Sequence, residues 1–335
     1  METDGSILSY LWNGDEGRLR APWRIVVAGV VIVGGVIVFP PAFAGALTAA
    51  GLVQPGFFEV SPELTAGMRL PFAVILGVTA LGVAVSVWLV ARYVDRRKLG
   101  DYGLRFDARW LYDLGFGLFL GAVLPTLIFA VGWLAGWYRV TGFVVAEGSF
   151  VAPFALLFVF FVFVGVYEEL IIRGWLLTNV SEGLVSFGER TAVVVAVLLT
   201  SSLFGVLHLP NPGASLVSAT IITLAGVFLA LGYVLTGELG VPIGIHITWN
   251  LFHGVFYDFG VSGISFPVSL VKTESVGPEY VTGGEFGPEA GLLGASAVVI
   301  GSVAILLWVR WREGETRVHE ILTTPDLLFD SEERD

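Results

Sequence analysis

Cysteine is absent from the 335 residues, which excludes disulfides, thiolate metal sites and cysteine nucleophiles. Lysine is nearly absent, with Lys98 and Lys272 standing against a background of arginine. Charge of either sign is scarce at 14 % of residues, where a soluble domain carries about 25 %. The chain is 55 % hydrophobic with a mean hydropathy of +0.82. That leaves too little polar surface to cover a water-soluble globule, so part of the solvent must be lipid. The charge that remains is lopsided, −11 overall, which argues against nucleic-acid binding. An acidic, lysine-poor surface suits a high-salt cytoplasm of the haloarchaeal kind. The first twenty residues are polar and mixed in charge, so no signal peptide is expected.

What is present is a series of apolar runs of the length a helix needs to cross about 30 Å of hydrocarbon. Windows of about 19 residues place spans at Arg24–Leu47, Leu70–Tyr93, Leu111–Tyr138, Val151–Leu177, Thr191–His208, Ser215–Leu235, Gly240–Phe259 and Leu292–Trp311. The expected fold is all-α: a polytopic membrane protein of about eight transmembrane helices around a polar intramembrane cavity. Residues 1–23 form a polar N-terminal segment, 24–312 the membrane domain, and 313–335 an acidic C-terminal tail that includes His319, read as functionally silent. Arg18, Arg20 and Arg24 precede the first span, Arg92, Arg96, Arg97 and Lys98 follow the second, and Arg310, Arg312 and Arg317 follow the eighth. Both ends are therefore expected in the cytoplasm of a multi-pass cell-membrane protein. Gly117 and Gly121, four apart, are spaced to let another helix approach closely. The stretch from Asp258 to Gly291 is expected to be a solvated connection.

Ionisable groups inside a membrane helix cost about 2.5–3.5 kcal/mol each on insertion scales and need a reason. The fourth span carries Tyr167-Glu168-Glu169-Leu170-Ile171-Ile172-Arg173-Gly174. Glu169 and Arg173, four apart, share a helix face and are expected to pair. Glu168 lies about 100° around the helix, which leaves it free for acid–base work. Three of the four histidines also fall in or at the ends of spans. His208 closes the fifth; His246 and Asn250 share one face of the seventh, with His253 nearly in line. One shared polar cavity would satisfy them all.

Two chemistries suit these residue types. Glu168 with His208 could deprotonate a water that attacks a peptide carbonyl, with His246 and Asn250 donating to the oxyanion. Alternatively Glu168, His208 and His246 could ligate a divalent metal such as zinc, although no HExxH signature is present. A non-catalytic scaffold or a proton-coupled transporter would use the same residues as a polar network or relay.

In order, Glu168-Glu169-xxx-Arg173, Phe204-xxx-His208 and His246-xxx-Asn250 resemble the CPBP family of intramembrane proteases. That family includes type II CAAX prenyl endopeptidases and Abi bacteriocin-immunity proteins. The resemblance covers about Val151 to Phe256. It implies an intramembrane endopeptidase acting on a peptide or membrane-protein substrate: Glu168 and His208 activate water, His246 and Asn250 stabilise the oxyanion, and Glu169, Arg173 and Phe204 support the site. The immunity-type members make a non-catalytic role the alternative. One expectation conflicts with simple geometry. At 1.5 Å per residue, His208 lies about 27 Å into its span and His246 only about 9 Å, so straight helices would hold the two histidines at different depths.

Overall fold

The computed structural model describes residues 8–54, 69–146 and 148–328. Their order is a short helix α1 (Leu8–Leu11), a small antiparallel pair β1 (Trp12–Asn13) and β2 (Arg18–Leu19), and the helices α2 (Ala21–Ala49), α3 (Arg69–Leu89) and α4 (Ala108–Leu134). Strand β3 (Tyr138–Ala146) precedes α5 (Val151–Glu169), α6 (Thr178–Leu184), α7 (Glu189–Leu207), α8 (Leu216–Thr236) and α9 (Gly240–Leu251). Strand β4 (Val268–Ser275), α10 (Glu279–Thr282) and α11 (Leu292–Glu313) complete the order.

Lipid offers no hydrogen bonds, so a spanning backbone must satisfy itself as helix. Among the described residues seven helical stretches are long and apolar enough to cross a membrane. The count of about eight is approximate because α9 falls short: it is a 12-residue helix extended by wider π-helical turns over Phe252–Phe256. The fourth span runs further than expected, through π-helical turns at Leu170–Leu177 into α6. The third stops at Leu134, where the chain turns and becomes β3. Caps fix the helix ends: Asp107 accepts from the Trp110 amide at 2.9 Å to start α4, and left-handed Gly237 and Gly314 stop α8 and α11.

The bundle has two chemically different ends. At one, Arg24 reaches Asp95 (3.3 Å) after α3 and Glu182 (2.9 Å) in α6, and Arg18 and Arg97 also bind Glu182. Arg109 of α4 pairs with Glu313 of α11 at this same end. At the other end β3 and β4 form a two-stranded antiparallel sheet, joining the α4–α5 link to the α9–α11 link. The segment expected to be a solvated connection thus carries an ordered strand and packs back on the bundle.

Helix α9 lies inside the protein, with 240–247 buried throughout. It packs on α4 and α5. Gly117 and Gly121 of α4 make this close approach: a Cβ on them would run into the backbone carbonyls of Val241 and Ile245. Thr248 donates across the same interface to the Leu118 carbonyl at 2.8 Å. The start of α9 is also recessed. The Leu239 amide donates to Gly103 O at 2.9 Å, and the His319 segment covers the α8 end through a 2.9 Å bond from the His319 amide to Val234 O.

Gly121→Leu is expected to lower stability by about 1–3 kcal/mol, the usual cost of overpacking. Thermal unfolding in detergent reads this, with Gly29→Leu as a near-neutral control, since nothing lies within 4 Å of a Cβ there.

Candidate active site

The adjacent glutamates are the last two residues of α5, just before the π-helical turns, and the step of about 100° between them sends the two carboxylates in different directions. Glu169 is fully buried, and its Oε1 accepts from Arg173 Nη1 at 2.7 Å, the pair expected from the spacing. The same oxygen binds His246 Nδ1 at 2.7 Å. Arg173 also donates to the Gly226 carbonyl of α8 at 3.2 Å and lies 4.4 Å from the Phe204 ring centroid. One carboxylate and one guanidinium therefore draw α5, α7, α8 and α9 together. Neighbouring Glu168 faces a cavity, where Tyr167 donates to its Oε1 at 3.3 Å and its Oε2 lies 3.8 Å from His246 Nε2.

The cavity has a volume of about 670 Å³, and Glu168, His208, His246 and Asn250 all line it. His208 binds the Phe204 carbonyl through Nδ1 at 2.7 Å; a carbonyl only accepts, so Nδ1 carries a hydrogen and Nε2 is the nitrogen left without a protein partner among the described residues. Asn250 makes no side-chain hydrogen bond among the described residues and keeps its amide for whatever enters. The rest of the wall is largely apolar, from Phe160, Phe161, Ile171, Phe228 and their neighbours.

The depth conflict resolves through Phe204. Its ring sits 6.2 Å from that of His246 and 4.7 Å from that of His208, edge-on to both. The histidines share a cavity without touching: the recessed start of α9 lowers His246 to the level of Phe204, and His208 stands one turn beyond. No hydrogen bond joins Glu168 to His208 among the described residues. His253 is not brought in; it is fully buried, binds the Trp249 carbonyl through Nδ1 at 3.1 Å, and stacks on the Trp249 ring.

Three residues missed in the sequence also shape the cavity. Glu289 accepts from Trp249 Nε1 at 2.7 Å and from the Ser262 amide at 2.5 Å. Asn211 donates to the Ser262 carbonyl at 3.0 Å. The carbonyl of Ser262 is thereby held from just beyond the His208 end of α7, and its amide by Glu289, which itself binds Trp249 of α9. Trp249 sits beside Asn250, so Glu289 braces the helix that presents the amide. No spacing rule could have found these contacts; the only signal was a glutamate in a loop.

The ligand set His208, His246 and Glu168 is not grouped as a metal site, and among the described residues no three His, Cys, Asp or Glu side chains are. His246 commits Nδ1 to Glu169, and His208 commits Nδ1 to its own helix.

Residues 150–252 match the family model described as type II CAAX prenyl endopeptidase Rce1-like. The matched stretch contains Glu168, Glu169, Arg173, Phe204, His208, His246 and Asn250, and it agrees with the CPBP resemblance of the three motifs. No curated protein and no solved structure matches the chain. The chain is thus an all-α, multi-pass membrane protein with a central stretch similar to the Rce1-like family model.

Arg173→Met leaves the buried Glu169 carboxylate without its guanidinium partner and is expected to destabilise by about 3–5 kcal/mol. The double variant Glu169→Leu/Arg173→Met is expected to recover part of that loss. Chemical unfolding of both proteins in the same detergent measures the difference.

Proposed function

We propose that the chain is an intramembrane endopeptidase whose nucleophile is a water held between Glu168 and His208. The observation that carries this reading is that four side chains from three motifs, Glu168, His208, His246 and Asn250, line one cavity within the Rce1-like stretch. Glu168 takes a proton from the water while His208 Nε2 accepts its other hydrogen bond. The hydroxide oxygen bonds to the peptide carbonyl carbon, and the carbonyl electron pair moves onto oxygen. In this reading both ring nitrogens of His246 carry hydrogen, Nδ1 against Glu169 and Nε2 towards the cavity; Nε2 and Asn250 Nδ2 donate to that oxyanion. On collapse the C–N bond breaks, and Glu168 returns its proton to the leaving amine. Glu169 and Arg173 act by fixing the His246 ring, as carboxylates orient histidines elsewhere.

In this reading the substrate is a peptide or membrane protein, the surroundings are bilayer lipid, and both chain ends lie in the cytoplasm. No step passes through a metal. If the protein takes a divalent ion, Glu168, His208 and His246 are the side chains proposed to hold it.

Glu168→Gln is expected to reduce cleavage of a fluorogenic CAAX-type peptide, prenylated or not, by at least about 10²-fold. Its unfolding temperature should stay close to wild type. A non-catalytic scaffold or immunity-type protein gives the opposite result: the variant keeps the biological phenotype, and no wild-type turnover exists to lose. Cleavage is also expected to survive dialysis against a chelator. Loss of activity that zinc restores would return the metal to the mechanism.

A further inference from the structure

The mouth of the cavity and the basic residues lie towards opposite ends of the bundle. Successive spans alternate in direction, so the N-terminal segment, the α3–α4 link, the α6–α7 link, the α8–α9 link and the C-terminal segment share one end. The ion pairs Arg18–Glu182, Arg24–Asp95 and Arg109–Glu313 tie these segments together there. That end holds Arg18, Arg20, Arg24, Arg92, Arg96, Arg97, Lys98, Arg105, Arg109, Arg190, Arg310, Arg312 and Arg317 within or beside short connections. Among the described residues the opposite end, with the β3–β4 sheet, has only Arg69, Arg139 and Lys272. Short loops rich in arginine and lysine stay in the cytoplasm, and acidic residues contribute little to that vote. The asymmetry is steep enough to fix orientation.

The cavity runs from mid-bundle, at Glu168 and His246, into the half with few basic residues. Its wall takes Leu207, His208 and Asn211 from the far end of α7, Ile222 from the second turn of α8 and Val298 from the second turn of α11. Ser262 and Glu289, from the link that contains β4, complete that side. Nothing from the basic end contributes, and there the buried Arg24, Asp95 and Arg97 with half-buried Glu182 close the bundle. Ser265, on the link, is exposed and also lines the cavity, so the opening lies on the sheet side.

We propose that the cavity serves the non-cytoplasmic face. Its substrate is then an extended, largely apolar peptide segment presented outside the cytoplasm: the outer juxtamembrane part of a membrane protein or of an exported chain. The sidedness stands on charge and geometry alone; that the occupant is cut rests on the protease reading.

The absence of cysteine makes the test clean. Ser265→Cys, Glu274→Cys and Glu315→Cys each introduce a single thiol into the full chain. Ser265 is exposed at the cavity; Glu274 and Glu315 have side chains 55 % and 63 % exposed at the sheet and basic ends. In intact cells a membrane-impermeant maleimide is expected to label the Ser265→Cys and Glu274→Cys proteins fully. The Glu315→Cys protein should label only after permeabilisation. The reverse pattern overturns the proposal, as does a Ser265→Cys protein that stays unlabelled while Glu274→Cys reacts. In a second arm, sealed right-side-out vesicles should cleave the added fluorogenic peptide and inside-out vesicles should not; cleavage confined to inside-out vesicles overturns it equally. Labelling needs no turnover, so a chain that labels as expected but never cleaves fails the protease reading alone.

Discussion

Everything at the site hangs on a single buried oxygen, Glu169 Oε1, shared by Arg173 and His246. Taking a carboxylate and a guanidinium out of water costs several kcal/mol per ion before any attraction is counted. The bundle offsets that cost by supplying the Gly226 carbonyl, the Phe204 ring and the His246 Nδ1–H to the same two groups. Each of these comes from a different helix, so the requirement to satisfy one ion pair fixes the relative positions of α5, α7, α8 and α9. Glu168, one residue before Glu169, is then aimed into the cavity by default.

A second constraint comes from the solvent. Helices that touch lipid must be apolar nearly all round, and α2 shows this with a long row of exposed valines. Helix α9 escapes the rule because protein surrounds it: 240–247 are buried throughout. Only a helix shielded in this way can carry His246 and Asn250 on one face at low cost. The shielding in turn demands close packing, which the glycines of α4 and Gly244 of α9 allow. Its short length follows from the same position, since a helix enclosed in the bundle need not match the bilayer's thickness.

How far the sequence could be read depended on how local each interaction is. The Glu169–Arg173 pair lies within one helix, and the spacing of four announced it. The gathering of Glu168, His208, His246 and Asn250 followed from the cost of burying them singly in lipid, reinforced by the family resemblance. The second bond of Glu169, to His246, joins residues 77 positions apart, and nothing in either helix alone points to it. His253 misled because it follows His246 at a helical interval; the wider π turns at Phe252–Phe256 and its bond to Trp249 O turn it into the core. The depth conflict arose from counting residues as if every helix began at the membrane surface, whereas α9 begins beneath Gly103 and the His319 segment. The β3–β4 pairing joins stretches far apart in the chain, and its alternation was hidden next to an apolar run.

Ser262 shows why the loop matters to the chemistry. Its backbone sits in the left-handed region, at φ 48°, which costs a non-glycine residue about 1–3 kcal/mol unless the surroundings enforce it. The enforcement is visible: Asn211 holds the carbonyl, and Glu289 holds the amide while also binding Trp249. A single residue, through its two flanking peptide groups and Glu289, therefore links the end of the helix carrying His208 to the helix carrying His246 and Asn250. Water activation and oxyanion stabilisation would need these two helices at a fixed separation. A loop that merely connected α9 to α11 would have no reason to accept strain at the point where it spans them.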